Sequence, residues 1–110
     1  MKIFNWYKGE NLIAEIHADF TAKDVKVINY TERLLDRPFG VKDNPSWDDF
    51  EKFLESRCVP RTRDHIGWYL EGIGLQYYVP LDIVHKTRGR MEGDQFILID
   101  TEYDYEGEKI

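Results

Sequence analysis

Apolar and polar residues alternate along the N-terminal third of the chain, which is the pattern of β-strands with one buried face. The alternation is clearest over 12–20, where every second residue is apolar: Leu12, Ala14, Ile16, Ala18 and Phe20. An aromatic, strand-favouring run at 2–7 precedes it, and the glycine-containing segment 8–11 predicts a hairpin turn between the two. A third, weaker strand is expected over 24–30.

The spacing of apolar residues changes to that of helices from residue 46 onward. Ser46, with Asp49 three residues later, predicts a capping box at the start of a first helix, which Pro60 ends. A second helix is expected over 66–73, and Pro80 starts a short third helix. These helices are expected to supply much of the core: Trp47, Phe50, Phe53, Leu54, Ile66, Tyr69, Leu70, Leu81 and Val84.

These patterns predict an α+β fold, in which a small antiparallel sheet from the N-terminal hairpin and a C-terminal strand packs with three short helices. We expect a single domain over 1–110, with strands at about 2–30, a helical centre at about 46–88, and a C-terminal strand with an acidic tail at about 95–110. A chain of 110 residues buries roughly two-thirds of its unfolded surface, so one core suffices without disulfides.

The composition indicates a soluble protein of a reducing compartment. Cys58 is the single cysteine and has no partner for an internal disulfide. The N-terminus shows no secretory leader, and no run approaches the ~18 apolar residues that a membrane span needs. We therefore expect a cytoplasmic protein that makes no membrane contact.

Basic residues concentrate in the helical centre although the formal net charge of the chain is −6. Residues 57–90 carry a net charge of +3, and the rest of the chain carries −9. Arg57, Arg61 and Arg63 bracket Pro60 before the second helix, where guanidinium and free backbone N–H groups attract a carboxylate or a phosphate. The alternative is that they pair within the chain, with acids of the first helix: Asp48, Asp49, Glu51 or Glu55.

The C-terminal segment 100–108 alternates acidic and aromatic residues. As a strand it has an acidic face and an aromatic face, which favours docking to a basic protein surface or imitation of nucleic-acid charge. The alternative is an edge strand whose charges prevent pairing with other edges. Together with the basic centre, this segment defines the predicted partner-binding residues: Arg57, Arg61, Arg63, Lys86, Arg88, Arg90, Glu102, Tyr103 and Asp104.

Signals for catalysis and metal binding are weak. His17, His65 and His85 are far apart in the sequence and Cys58 stands alone, so we expect no metal and no cofactor. A nucleophile built from Cys58 with His65 or His85 lacks any local signature. A helix-turn-helix reader is also disfavoured, because the segment 63–71 offers few side chains suited to base edges and the net charge repels DNA.

Several short motifs in a fixed order carry a resemblance to a known family: YKGENLIAEI (7–16), LLDRPFG (34–40), Trp47, RCVPRTR (57–63), LEGIGL (70–75) and KTRGRMEGDQFILI (86–99). This order resembles the region that precedes the kinase domain in HipA-like toxin kinases of Gram-positive bacteria, and related small stand-alone proteins of mobile elements. The resemblance implies a non-catalytic accessory module. Phosphoryl transfer is not implied, because the sequence has neither a glycine-rich phosphate loop nor a catalytic Asp/Asn loop.

The sequence therefore leads us to expect a protein that is not an enzyme. The favoured hypothesis is an antitoxin-like regulator of a mobile-element system, which binds and modulates a partner protein such as a toxin or a defence-system protein. One alternative is a phage-encoded inhibitor of host defence, similar to anti-CRISPR proteins, which blocks a nucleic-acid-binding protein. Two further alternatives are a DNA-binding autoregulator and a small enzyme that uses Cys58.

Overall fold

The computed structural model describes residues 1–105, which form a four-stranded antiparallel sheet and three helices. The α+β fold predicted from the sequence is thereby confirmed. The strands follow the order β3-β2-β1-β4, so that β2 and β1 are the inner strands and β4 returns to pair with β1. The elements are β1 (Lys2–Lys8), β2 (Asn11–Asp19), β3 (Asp24–Asn29), a 3-10 turn (Leu34–Asp36), α1 (Trp47–Ser56), α2 (Ile66–Gly72), α3 (Pro80–Thr87) and β4 (Phe96–Asp100).

The helices cover the face of the sheet that carries Phe4 and Trp6 of β1. The Phe4 ring lies 5.7 Å from that of Phe50 in α1, and the Trp6 ring meets Phe53 edge-on at 5.1 Å. Phe4 is fully buried and Trp6 is 3% exposed. The sequence-based core omitted both residues, because the alternation of β1 alone does not reveal that this strand is paired on both sides.

The local predictions for the helices hold. The N–H of Asp49 donates to Ser46 Oγ at 3.1 Å and the N–H of Ser46 donates to Asp49 Oδ2 at 2.9 Å, which completes the predicted capping box. Phe50, Phe53, Leu54, Leu70 and Val84 are buried as expected, whereas four predicted core residues are only partly buried: Trp47, Ile66, Tyr69 and Leu81. In α3 the fully buried apolar residue beside Val84 is Ile83.

The predicted apolar stripe of β2 is wrong at Leu12, which is 38% exposed. Trp6 pairs with Ala14 but the next residue of β1 pairs with Leu12, so Ile13 is an extra residue in β2. This β-bulge moves Leu12 to the opposite face of the sheet. Phe20 follows the end of β2 and stays on the predicted face of the sheet. It is 38% exposed, and its ring packs edge-on against Trp47 and Phe50 of α1, at 5.0 and 5.8 Å.

The acidic segment does not continue β4 as a strand. The Asp100 carboxylate accepts the N–H of Glu102 at 3.0 Å and the Asp100 carbonyl accepts the N–H of Tyr103 at 3.2 Å, so the chain turns directly after β4. The predicted acidic and aromatic faces are therefore absent over residues 101–105. The end of the predicted tail, 106–110, lies outside the described residues. Within residues 1–105, no helix is long and apolar enough to cross a membrane.

Candidate partner-binding surfaces

Arg57 is an internal structural residue, which corrects the expectation that it faces outward. It is 8% exposed, and its Nη1 and Nη2 donate to the two carboxylate oxygens of Asp94 at 2.9 and 3.0 Å. Its Nε donates to the Gly89 carbonyl at 2.9 Å, and the guanidinium lies 5.0 Å from the centre of the Trp6 ring. The hydrogen bond from Arg57 lowers the pKa of Asp94. This guanidinium is saturated within the chain and is not available to a partner.

The other two arginines of the RCVPRTR motif lie at the surface and are stacked on aromatic rings. Arg61 Nε donates to Glu55 at 2.9 Å, the pairing with the first helix that was considered as an alternative. Both groups of this pair are about half exposed, so the pair contributes only ~0–1 kcal/mol. The Arg61 guanidinium lies 4.3 Å from the Tyr78 ring and that of Arg63 lies 5.0 Å from the Tyr69 ring.

The segment before α2 places a third flat side chain on an aromatic ring. His65 stacks on Trp68 with 3.9 Å between ring centres and 5° between planes. Trp68 is nevertheless 71% exposed, and Tyr77 is 70% exposed. Arg61, Arg63 and His65 thus each cover one aromatic ring along a single stretch of chain. We call Arg61, Arg63, His65, Trp68 and Tyr77 the α2 surface.

Trp68 and Tyr77 are exposed aromatic residues, and candidate site residues, that the sequence pattern did not predict. The predicted apolar stripe of the second helix contains Ile66, Tyr69 and Leu70, and Trp68 lies off that stripe. A large aromatic residue outside the buried stripe of an amphipathic helix is the signal that would have identified it. Tyr77 lies in the irregular segment between α2 and α3, for which periodicity makes no prediction.

The remaining predicted residues gather at a second place, around the end of α3. Lys86, Arg88 and Arg90 line one side of a small polar cavity. Glu102 is paired with Lys2 at 3.6 Å, and Tyr103 stacks on His85 at 3.9 Å. Asp104 is exposed beside them. The nine predicted residues therefore divide into one internal arginine, two arginines of the α2 surface and six residues at this second place.

The second place, around the end of α3, is held together by a buried carboxylate. Asp100 is fully buried and accepts hydrogen bonds from His85 Nε2 at 2.8 Å and Lys2 Nζ at 3.2 Å, besides the N–H of Glu102. Burial by itself raises the pKa of Asp100, but these hydrogen bonds outweigh it, so the pKa lies below the usual aspartate range. The cluster joins β4, β1 and α3, and it fixes the orientation of the His85 ring.

Cys58 is a packed thiol and not an activated nucleophile. It is 4% exposed, and its Sγ contacts the carbonyls of Leu54 and Pro80. Burial raises the pKa of the Cys58 thiol to about 12, so it stays protonated at neutral pH. These observations do not support the alternative of an enzyme that uses Cys58. Among residues 1–105, no three His, Cys, Asp or Glu side chains lie close enough together to hold a metal ion.

Comparison of the chain with protein-family models, with curated proteins and with solved structures found no match. The resemblance to the pre-kinase region of HipA-like proteins therefore stays a prediction from the sequence motifs.

Proposed function

We propose that this protein is a non-catalytic regulator that binds a partner protein through the α2 surface. The observation that carries the proposal is the exposure of Trp68, which is 71% accessible although it is one of the largest apolar side chains in the chain. Trp, Tyr and Arg are the residue types that dominate binding energy at protein interfaces. The α2 surface combines all three.

The stacked side chains reduce the entropic cost of binding. The guanidinium groups of Arg61 and Arg63 lie over the rings of Tyr78 and Tyr69, and His65 is stacked on Trp68. A side chain already held by its neighbour loses less rotamer freedom when a partner covers it, because part of that ordering has taken place in the free protein. The arrangement therefore favours a preformed docking surface.

A protein partner is favoured over nucleic acid. The chain carries a formal net charge of −6, which opposes approach to a phosphate backbone. Glu55 of α1 pairs with Arg61 of the α2 surface, so part of the local positive charge is already neutralised. An apolar anchor with mixed charges around it suits a protein interface with a polar rim.

The motif resemblance favours a toxin or defence system of a mobile element as the biological setting. Residues 57–63 belong to the motifs that resemble the pre-kinase region of HipA-like proteins and stand-alone proteins of mobile elements. Two of its arginines lie on the α2 surface. We therefore favour an antitoxin-like regulator, whose partner is a toxin or a defence-system protein.

The test is affinity capture from the native host with the tagged full chain, followed by measurement of the affinity for the captured protein. Trp68→Ala should weaken binding about 30-fold, since a central aromatic anchor contributes about 2 kcal/mol or more. Leu35→Ala is the matched control, because Leu35 is 97% exposed but lies on the 3-10 turn. Equal affinity of Trp68→Ala and the wild-type chain would contradict the assignment of the α2 surface. A captured protein that is a nucleic-acid-binding defence component would favour the phage-inhibitor alternative.

A further inference from the structure

The cavity at the end of α3 is a concave basic site in an acidic protein. It has a volume of about 150 Å³ and is lined by His85, Lys86, Thr87, Arg88, Arg90 and Tyr105. Three of these side chains are permanent cations, and none is a carboxylate. Over the whole chain, by contrast, acidic residues outnumber Lys and Arg by 21 to 15. His85 is hydrogen-bonded to the buried carboxylate of Asp100 at 2.8 Å, so the positive charge that this cavity offers to an anion is that of Arg88 and Arg90.

The backbone that presents the two arginines is held from three sides. Arg88 has a left-handed conformation with φ of 58°, its N–H donates to the Val84 carbonyl, and its own carbonyl accepts the N–H of Leu98 at 2.8 Å. The next residue, Gly89, has φ of 64° and its carbonyl accepts from Arg57. The internal Arg57 is thus a positioning residue for the turn that carries Arg88 and Arg90.

The side chains of this turn are available for a ligand. The Arg88 guanidinium lies 5.3 Å from the centre of the Tyr105 ring, and the Tyr105 hydroxyl accepts the N–H of Asp100 at 2.9 Å, which holds that ring in place. Within residues 1–105, neither Arg88 nor Arg90 is paired with a carboxylate.

The helix dipole does not account for Arg90. Cations in the last turn of a helix offset the partial negative charge of its carbonyl end, and Lys86 is in that position. Arg88 is the C-cap and still lies at this end, whereas Arg90 lies beyond the helix, where the effect of the dipole falls away. Their convergence on one cavity needs a different explanation.

We propose that this cavity binds the phosphate group of a phosphate monoester. Guanidinium groups bind tetrahedral dianions through charge-assisted hydrogen bonds, and two of them converge here. A cavity of about 150 Å³ has room for one such group, whereas a duplex backbone needs an extended basic track. The phosphate can belong to a small molecule or to a phosphorylated side chain of a partner. The inference does not depend on the α2 surface.

The first experiment is a titration of the ¹⁵N-labelled full chain with inorganic phosphate, with sodium chloride of equal ionic strength as the reference. We expect saturable shifts of the Arg88, Gly89 and Arg90 amides. Arg90→Gln should weaken binding about 10-fold, since a hydrogen bond to a charged group contributes about 1.4 kcal/mol or more. Arg61→Gln removes the same charge from the α2 surface and is the matched control.

Two outcomes would overturn the proposal: amide shifts that do not saturate, or equal weakening by Arg90→Gln and Arg61→Gln, which would indicate general charge screening. Arg88→Gln is a second variant for the same titration, should Arg90→Gln unfold the chain. Trp68→Ala should leave the titration unchanged, so failure of this proposal and failure of the α2 surface are separate results.

A second titration distinguishes the sources of the phosphate. A phosphoserine peptide that binds at least about 10-fold more tightly than inorganic phosphate, with the unphosphorylated peptide inert, would assign the site to a phosphorylated protein. Equal affinity for the two would assign it to a small phosphate compound. Duplex DNA that binds more tightly than both, and loses affinity in Arg90→Gln, would overturn the monoester in favour of nucleic acid.

Discussion

The guanidinium of Arg57 and the carboxylate of Asp94 form a two-pronged ion pair, with N–O distances of 2.9 and 3.0 Å across 37 positions of sequence. The pair joins the RCVPRTR motif to the KTRGRMEGDQFILI motif. Arg57 also packs over Trp6 and binds Gly89, so it ties α1 and the α3–β4 connection to the central strand. These two motifs occur together in the chain for a structural reason, independent of any partner.

Arg57→Ala should lower the free energy of unfolding by about 3 kcal/mol, because it leaves the Gly89 carbonyl without a donor and leaves the partly buried Asp94 carboxylate without its charged partner, with only the N–H of Phe96. Arg57→Lys should recover little of this loss, since an ammonium group cannot reproduce the two-pronged geometry. Urea denaturation measures both changes. Arg61→Ala, which removes an exposed arginine, should cost less than about 1 kcal/mol. Equal costs at the two positions would show that Arg57 does not hold the fold together.

The lowered pKa values of Asp94 and Asp100 predict that the protein loses stability in acid. The pKa of Asp94 is lowered by the hydrogen bond from Arg57, and that of Asp100 by hydrogen bonds that outweigh its burial. A carboxyl group whose pKa is lower in the folded state stabilises the fold above its unfolded pKa, which is about 4 for aspartate. This contribution disappears as the pH falls through the folded pKa.

We therefore expect the free energy of unfolding to decrease as the pH is lowered below about 4. Asp94→Asn should be less stable than the wild-type chain at pH 7 and should show a shallower decline in acid, since it has one titrating group fewer. Chemical denaturation at a series of pH values measures both slopes. Parallel slopes would exclude the Arg57–Asp94 pair as a source of the acid sensitivity.

Gly89→Ala should destabilise the fold more than Gly9→Ala. Both glycines have a positive φ, of 64° and 60°, so both substitutions have a conformational cost of about 1 kcal/mol. A Cβ at Gly89 would lie 2.8 Å from Leu98 Cβ, whereas a Cβ at Gly9 meets nothing within 4 Å. The clash adds about 1–3 kcal/mol, and thermal unfolding of the two variants isolates it. Equal melting temperatures would mean that β4 moves away from Gly89 without cost.

Truncation of Trp6 should destabilise the fold far more than truncation of Trp68. Trp6 is 3% exposed and its indole N–H donates to the Asp36 carbonyl at 2.9 Å, so Trp6→Ala should cost about 3–5 kcal/mol. Trp68 is 71% exposed, and Trp68→Ala should change stability by less than about 0.5 kcal/mol. Denaturation of both variants measures the contrast. A large loss of stability in Trp68→Ala would assign Trp68 to the fold instead of the α2 surface.

The sequence by itself determined the features that depend on neighbouring residues. The hairpin turn at Gly9, the capping box of Ser46 with Asp49, and the start of α3 at Pro80 all appear where the pattern predicts them. In each case the interacting groups lie within a few positions of one another, so that local geometry is sufficient to specify them.

Only the tertiary structure decided which charges are internal and which are available. Judged by charge alone, the three arginines at 57, 61 and 63 are equivalent, yet the fold brings Asp94 to Arg57 alone. The fold likewise brings Tyr105 under Arg88 and leaves Trp68 exposed. Any carboxylate can attract an arginine and any apolar surface can cover a tryptophan. Which partner each side chain meets therefore depends on how the fold brings distant segments of the chain together.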